Sequence, residues 1–209
     1  FPRFVVGTGW DGKSRMSREI HVRFCEHLGG RFPRVTRLVI CCKRGAEDAM
    51  AAMREIMGRI KLTVNEEKTH LCQIPRERFD FLGYTFGRCY SRKDGHAYIG
   101  TRPSRKSIKR MVVSLSEVTD RRTGLLDAEE IVGRLNWKLR GWASYFCLGP
   151  VSPAYRLLDT HARQRLRRWL CKKHKVASTG TSRFPDQYLY EVLGLVHLAP
   201  RTRDLPWAK

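Results

Sequence analysis

The sequence predicts an α+β, mainly helical protein, with short strands plus one helix first and a helical domain after them. Three observations carry this. Leu38-Val-Ile-Cys-Cys42 is a β-branched run bounded by charge, the pattern of a short buried strand. A single helical pattern interrupts the strand-like text between it and Gly100. After Pro103, apolar residues recur at spacings of three and four through three long stretches, the period of amphipathic helices.

Residues 1–37 are rich in Gly and Arg, with short apolar patches and no sustained period, and are left unassigned, a non-native or disordered segment being one reading of them. Within them Arg15–Leu28 reads as at best a weakly amphipathic helix. Gly45–Ile60 predicts a helix with Ala49, Met53, Ile56 and Ile60 on one face. Lys61–Thr69 begins extended and then turns, and Phe79–Phe86 is aromatic and strand-like. Arg88–Gly100 predicts a hairpin, with Asp94-Gly95 supplying positive φ angles.

Pro103-Ser104 starts a helix to about Thr119, with Ile108, Met111, Val112, Leu115 and Val118 inward. Asp127-Ala-Glu-Glu130 reads as a capping box for a second, whose stripe is Ile131, Leu135, Leu139, Trp142 and Phe146. The third runs from about Pro153 to Lys175 on Tyr155, Leu158, Ala162, Leu166 and Trp169. Arg167, Arg168 and Lys175 point away from that stripe, with Arg163, Arg165 and Lys172 on its flanks. Ser178–Pro185 is a loop, Asp186–Leu195 a last short helix, and Ala199–Lys209 an irregular tail with two prolines. The divisions are therefore 1–37, 38–101, 102–175 and 176–209.

A chain of 209 residues fits one domain or two small ones, and its 42% apolar content allows a sizeable core. Its charge is the strongest bulk signal: 41 Lys+Arg against 20 Asp+Glu, formally +21. Such an excess repels itself in a compact body and points to a polyanionic partner, nucleic acid first and an anionic membrane surface second. No apolar run is long enough to span a bilayer, and Arg3 interrupts the first apolar patch, against a signal peptide. Phe1 in the place of Met suggests a truncated sequence. The seven cysteines are an odd count without C-x-x-C, so a zinc ribbon is unsupported. Cys171 and His174 form at most half a metal site, and the adjacent Cys41 and Cys42 read as small buried hydrophobes. Reduced thiols make a cytoplasmic location the expectation.

Residues 101–175 hold 18 Lys+Arg against 6 Asp+Glu. Arg105, Lys106, Lys109 and Arg110 crowd the first turns of a helix, where positive charge opposes the macrodipole. Local stability would not place them there; phosphate contacts would. The candidate phosphate-binding set is these four with Arg134, Lys138 and Arg140 on the second helix and Arg163, Arg167, Arg168, Lys172, Lys173 and Lys175 on the third. Trp137 falls off the stripe of its helix and is a candidate for stacking on a base, whereas Trp142 and Trp169 fit the core.

Gly7, Gly12, Lys13 and Ser14 satisfy G-x-x-x-x-G-K-[ST], the phosphate loop of P-loop NTPases. That chemistry needs an acid ending a second buried strand, and Leu38–Cys42 runs into Lys43 instead. A P-loop nucleotide-binding protein working through Gly7–Ser14 stands as an alternative function.

Four motifs in order carry a family resemblance. Lys61-Leu-Thr-Val-Asn-Glu-Glu-Lys-Thr69 followed by Phe79-Asp-Phe-Leu-Gly-Tyr-Thr-Phe86 resembles the end of the palm of group II intron reverse transcriptases, where G-L-x-L-N-x-x-K-T precedes F-L-G-[FY]. Leu135-Asn-Trp-Lys-Leu-Arg-Gly-Trp-Ala-Ser-Tyr-Phe146 resembles the L-N-x-x-[IL]-R-G-W-x-x-Y-F signature of their maturase, or thumb, domain. Arg165–Lys175 and Phe184–Leu198 resemble the segments that follow. The resemblance spans about Leu38 to Lys209 and implies a palm remnant at 38–101, a helical thumb/maturase domain at 102–175 and a C-terminal extension beyond.

It also implies a function. Members bind the RNA of the intron that encodes them, assist its splicing, and copy it into DNA during mobility. A DNA target or an RNA–DNA duplex is then a further partner. Copying needs a Tyr-Ala-Asp-Asp hairpin whose carboxylates, with one more upstream, hold two Mg²⁺ ions. In the register of Leu38–Cys42 those four positions are Arg34-Val35-Thr36-Arg37, and arginine cannot bind Mg²⁺. The expectation is thus an RNA-binding maturase-type module, a remnant without catalytic residues, metal site or cofactor of its own; Mg²⁺ belongs to intact relatives. Lys68 reads as a solvated turn residue here. His21-Val-Arg-Phe24 back-translates into something like one strand of the small conserved hairpin of group II intron RNA, so residues 1–37 also read as an open frame crossing intron sequence. A DNA-binding module and a non-functional degenerate fragment are the remaining alternatives.

Overall fold

The computed structural model describes residues 20–27, 36–42, 45–66, 69–91 and 94–205, with only the backbone at 20–27, 36 and 37. The phosphate-loop match at Gly7–Ser14, Arg34, Val35 and Lys68 lie outside the described residues. The chain divides into two compact units, Phe1–Arg78 with Arg88–Ile99, and Phe79–Gly87 with Gly100–Lys209. The architecture is α+β and mainly helical, as the sequence predicts.

In the first unit, β1 (Ile20–His27) lies between β2 (Thr36–Cys42) and β3 (His70–Ile74), antiparallel to both. Val22 sits opposite Cys41 on one side and Cys72 on the other. The segment read as unassigned or weakly helical therefore contains the central strand of a sheet. Its sequence alternates Ile20, Val22 and Phe24 with His21, Arg23 and Cys25, a period of two that a helical face does not show. Cys41 is exposed and Cys42 only half-buried, which corrects their reading as buried hydrophobes. Helix α1 (Ala46–Arg59) follows Gly45, whose φ of 65° is the left-handed entry. Its buried face is Ala46, Met50 and Met53, joined by Met57 and packed on Leu38, Ile40 and Val64. Met53 of the expected stripe is buried, but Ile56 and Ile60 are 55% and 56% exposed, so the stripe fails at its isoleucines. Three methionines at i, i+3 and i+7 adapt to the ridge of β2 better than stiff isoleucines do.

A second sheet consists of β4 (Phe79–Phe81), β5 (Tyr84–Tyr90) and β6 (Ala97–Pro103), in that order. The stretch read as one aromatic strand is a hairpin: Leu82 and Gly83 take φ angles of 49° and 84°, a two-residue turn, and Phe79 stacks on Phe86 at 5.1 Å. Gly95, with φ of 69°, turns the next hairpin as expected, whereas Asp94, expected to share the positive φ, does not take it.

Helices α2 (Arg105–Val118), α3 (Ala128–Tyr145) and α4 (Ser152–Lys173) then pack around one core. Met111, Leu115 and Val118 of α2 meet Ile131, Leu135, Leu139 and Ala143 of α3 and Tyr155, Leu158, Ala162, Leu166 and Trp169 of α4, all buried at the expected spacings. Ser104 caps α2 by accepting from the Ser107 amide at 3.2 Å. The capping box at Asp127 does not close: its carboxylate makes no bond to α3 and faces Lys173 instead. Tyr188–Val192 is a π-helical turn and Ala199–Asp204 a 3-10 turn within the stretch read as irregular. Leu189, Leu195 and Leu198 complete the core. No helix among the described residues is long and apolar enough to cross a membrane.

The aromatic hairpin is fixed to the helices by its polar atoms. The Tyr84 hydroxyl donates to Tyr145 O at 2.6 Å, and the Tyr145 hydroxyl donates back to Leu82 O at 2.9 Å. Gly83 O accepts from the Ser104 amide at 2.8 Å and from Ser107 Oγ at 3.0 Å. A Cβ on Gly83 would stand 2.8 Å from Ser107 Oγ and 2.9 Å from Phe146 Cζ. Gly83→Ala combines a left-handed backbone with this collision, and it is expected to destabilise the protein by about 2 kcal/mol. A urea unfolding midpoint unchanged from wild type would contradict this account of the turn.

Candidate nucleic-acid interface

Burial of Ser107, Met111 and Leu115 fixes the phase of α2 and turns its cations outward. Arg105, Lys106, Lys109 and Arg110 are all exposed, and no acid lies in the first turn. None of their side chains makes an ion pair or hydrogen bond among the described residues. The row Lys106, Arg110, Ser114 leans toward α3, because Lys138 Nζ donates to Ser114 Oγ at 2.6 Å. The row Arg105, Lys109, Val112, Ser116 leans toward α4, because Ser116 Oγ lies 2.9 Å from His161 Nε2. Burial and the cations Arg165 and Arg168 hold the His161 pKa below its ordinary value, which favours the neutral imidazole beside the basic rows.

Helix α3 distributes its signature segment to four sides. Leu135 and Leu139 are fully buried. Asn136 turns to the C-terminal segment, its Nδ2 donating to Gly194 O at 2.8 Å and its Oδ1 accepting from the Val196 amide at 2.7 Å. Lys138 turns to α2. Trp137, between them, is 77% exposed and meets no other ring among the described residues. Arg134 pairs with Glu130 one turn back at 2.6 Å, while the exposed Arg140 side chain has no partner among the described residues. Trp142 packs on Phe146 and Tyr155, as the stripe predicts.

On α4 the cations divide sharply. Arg167 is only 9% exposed; its Nε donates to Phe184 O at 2.9 Å and its guanidinium pairs with Asp186. Arg163 shares the same carboxylate at 2.5 Å. Lys173 bonds to Leu126 O, lies 3.7 Å from Asp127 and covers the Trp169 ring. The sequence reading that turned Arg167 away from the core is thus corrected. Residues 184–186 pass over that face of α4, so a position outward on an isolated helix is inward in the protein. Arg168, Lys172 and Lys175 are exposed and unpartnered among the described residues. Arg165, outside the candidate set, donates to Ser116 O, Thr119 O and Thr119 Oγ1 and so caps the end of α2.

The candidates free to meet an anion are therefore Arg105, Lys106, Lys109, Arg110, Arg140, Arg168, Lys172 and Lys175. Lys138 and Arg134 hold weak, exchangeable partners beside them. Arg102 at the end of β6 is also exposed and unpartnered among the described residues, three residues before Arg105. It stands on a strand, apart from the helical stretches whose clustered charge marks the other candidates. Among the described residues no cluster of three His, Cys, Asp or Glu could hold a metal ion. Cys171 is buried against Gly180, while His174 packs on Phe184.

Residues 108–188, from within α2 through α4 to the first residue of the π-helical turn, match the family model of the group II intron, maturase-specific domain. No curated protein matches the chain.

Two neighbouring arginines separate the structural from the free cations. Arg167→Ala is expected to lower stability by about 2 kcal/mol, since it strands Phe184 O and Asp186. Arg168→Ala is expected to change it by less than about 0.5 kcal/mol. Equal thermal shifts in the two variants would show that the division by partner is wrong.

Proposed function

We propose, from the match of residues 108–188 to the group II intron, maturase-specific domain, that the helical unit binds the RNA of a group II intron and assists its splicing. The observation that carries this reading is the first half of α2: four cations on one exposed face, against the macrodipole, without an acid to answer them. Phosphate oxygens are the ligand such a face suits. Contacts of this kind supply affinity and read the shape of a folded RNA rather than its sequence. Arg140, Lys138 and the free cations of α4 would extend the contact; Arg163, Arg167 and Lys173 would support the fold beneath it. The reading assigns no cofactor to the described residues.

Binding should weaken steeply with salt, because each phosphate contact releases a counterion. Replacing Arg105, Lys106, Lys109 and Arg110 together by Gln should lower the slope of log affinity against log salt by roughly one for each phosphate that goes unneutralised. Preference for intron RNA over an unrelated RNA and over duplex DNA separates a maturase from a general basic module. Equal affinity for all three, or an unchanged slope in a folded variant, would refute the reading.

Copying of RNA into DNA falls outside this proposal. The positions of the catalytic carboxylates in the resembling family are Arg34-Val35-Thr36-Arg37 here. The chain by itself should therefore incorporate no nucleotide in primer extension on an RNA template with Mg²⁺ or Mn²⁺; measurable incorporation would overturn that expectation.

A further inference from the structure

We infer that Trp137 is a stacking platform for one unpaired nucleobase of the RNA, set on a helix surface left open for the approach of the nucleotide's sugar and phosphate. The inference rests on the RNA-binding reading and deepens it.

The neighbours of a helical residue on its own surface lie three and four positions away. For Trp137 these are Gly133, Arg134, Arg140 and Gly141. Both glycines are helical, and a Cβ added at either would meet nothing within 4 Å. Neither is required by packing or by a positive φ, and both weaken the helix relative to alanine. The indole between them is 77% exposed and gains little from burial. Folding stability thus accounts for none of the three, although all share one strip of α3.

A flat ligand accounts for all of them. Every base has a π face, and stacking on tryptophan is tolerant of sequence. Bare backbone on either side lets a ribose-phosphate come close to the helix. The two arginines supply the charge: Arg140 has no partner among the described residues, and Arg134 holds only the half-exposed Glu130. A base inside a duplex has both faces covered, so the occupant is a base from a loop, bulge or end.

The test uses the full chain and two RNAs of equal length, a hairpin with an unpaired loop and a blunt duplex. Trp137→Ala should weaken loop binding roughly tenfold and leave duplex binding unchanged, while Trp137→Phe retains most of the affinity. Gly133→Leu should also weaken loop binding, although it raises helix propensity and so leaves the protein folded and no less stable. Equal losses on both RNAs, or no loss on the loop, overturn the platform. If that happens while the fourfold Gln variant of α2 still loses affinity, the RNA-binding reading survives alone. If the wild-type chain binds neither RNA, both fall. Self-association that Trp137→Ala abolishes would assign the indole to a second copy of the chain and overturn the platform as well.

Discussion

Leu135 and Leu139 lie entirely out of water between α2 and α4, and their burial fixes the rotation of α3. Each such side chain contributes about 2 kcal/mol when removed from water, so the rotation is strongly held. The residues between them have no freedom left. Asn136 must face the C-terminal segment, Trp137 must face solvent, and Lys138 must face α2. A rotation by one residue would bury an ammonium and expose a leucine. The chemistry of the outer surface follows from a decision made in the core.

Electrostatics then sorts the cations by what is within reach. With 20 acids for 41 bases, most positive groups cannot find a carboxylate. Asp186 serves two arginines. Other cations turn to main-chain oxygens where helices end: Arg165 at the close of α2, Lys173 at the approach to α3. These are structural charges, and they are fully engaged. Among the described residues, Arg105, Lys106, Lys109 and Arg110 on α2 and Arg168, Lys172 and Lys175 on or just after α4 are left exposed without such partners, and like charges this close repel one another.

The legibility of the sequence follows the number of apolar residues that agree on one face. The stripes of α2, α3 and α4 each have five members, and the helices form where those stripes predict them. Helix α1 has two overlapping stripes, one of isoleucine and alanine and one of methionine, and only β2 decides between them. The turn at Leu82-Gly83 is hidden in the sequence because leucine is a poor residue for positive φ, and the tertiary bonds of Tyr84 and Tyr145 impose it. Asp127 has the spacing of a cap toward Glu130, but Lys173 lies near its carboxylate. In the candidate site, exposure of the α2 cations and of Trp137 is legible from helical phase. The engagement of Arg167 by Asp186 is not, since nothing local says that residues 184–186 return across α4.

The segment after the π-helical turn is held by two side chains from different helices: Asn136 on Gly194 and Val196, and Asp159 accepting from the Leu198 and Ala199 amides at 2.9 and 2.8 Å. At the other end, Tyr84 and Gly83 are bonded to the loop after α3 and to the start of α2. The cooperative piece is thus broader than the recognisable signature at 108–188. Excising only that stretch would strand a buried carboxylate, an amide and a wall of leucines, so dissection of this region should keep everything from the Phe79 hairpin through Leu205 as one block.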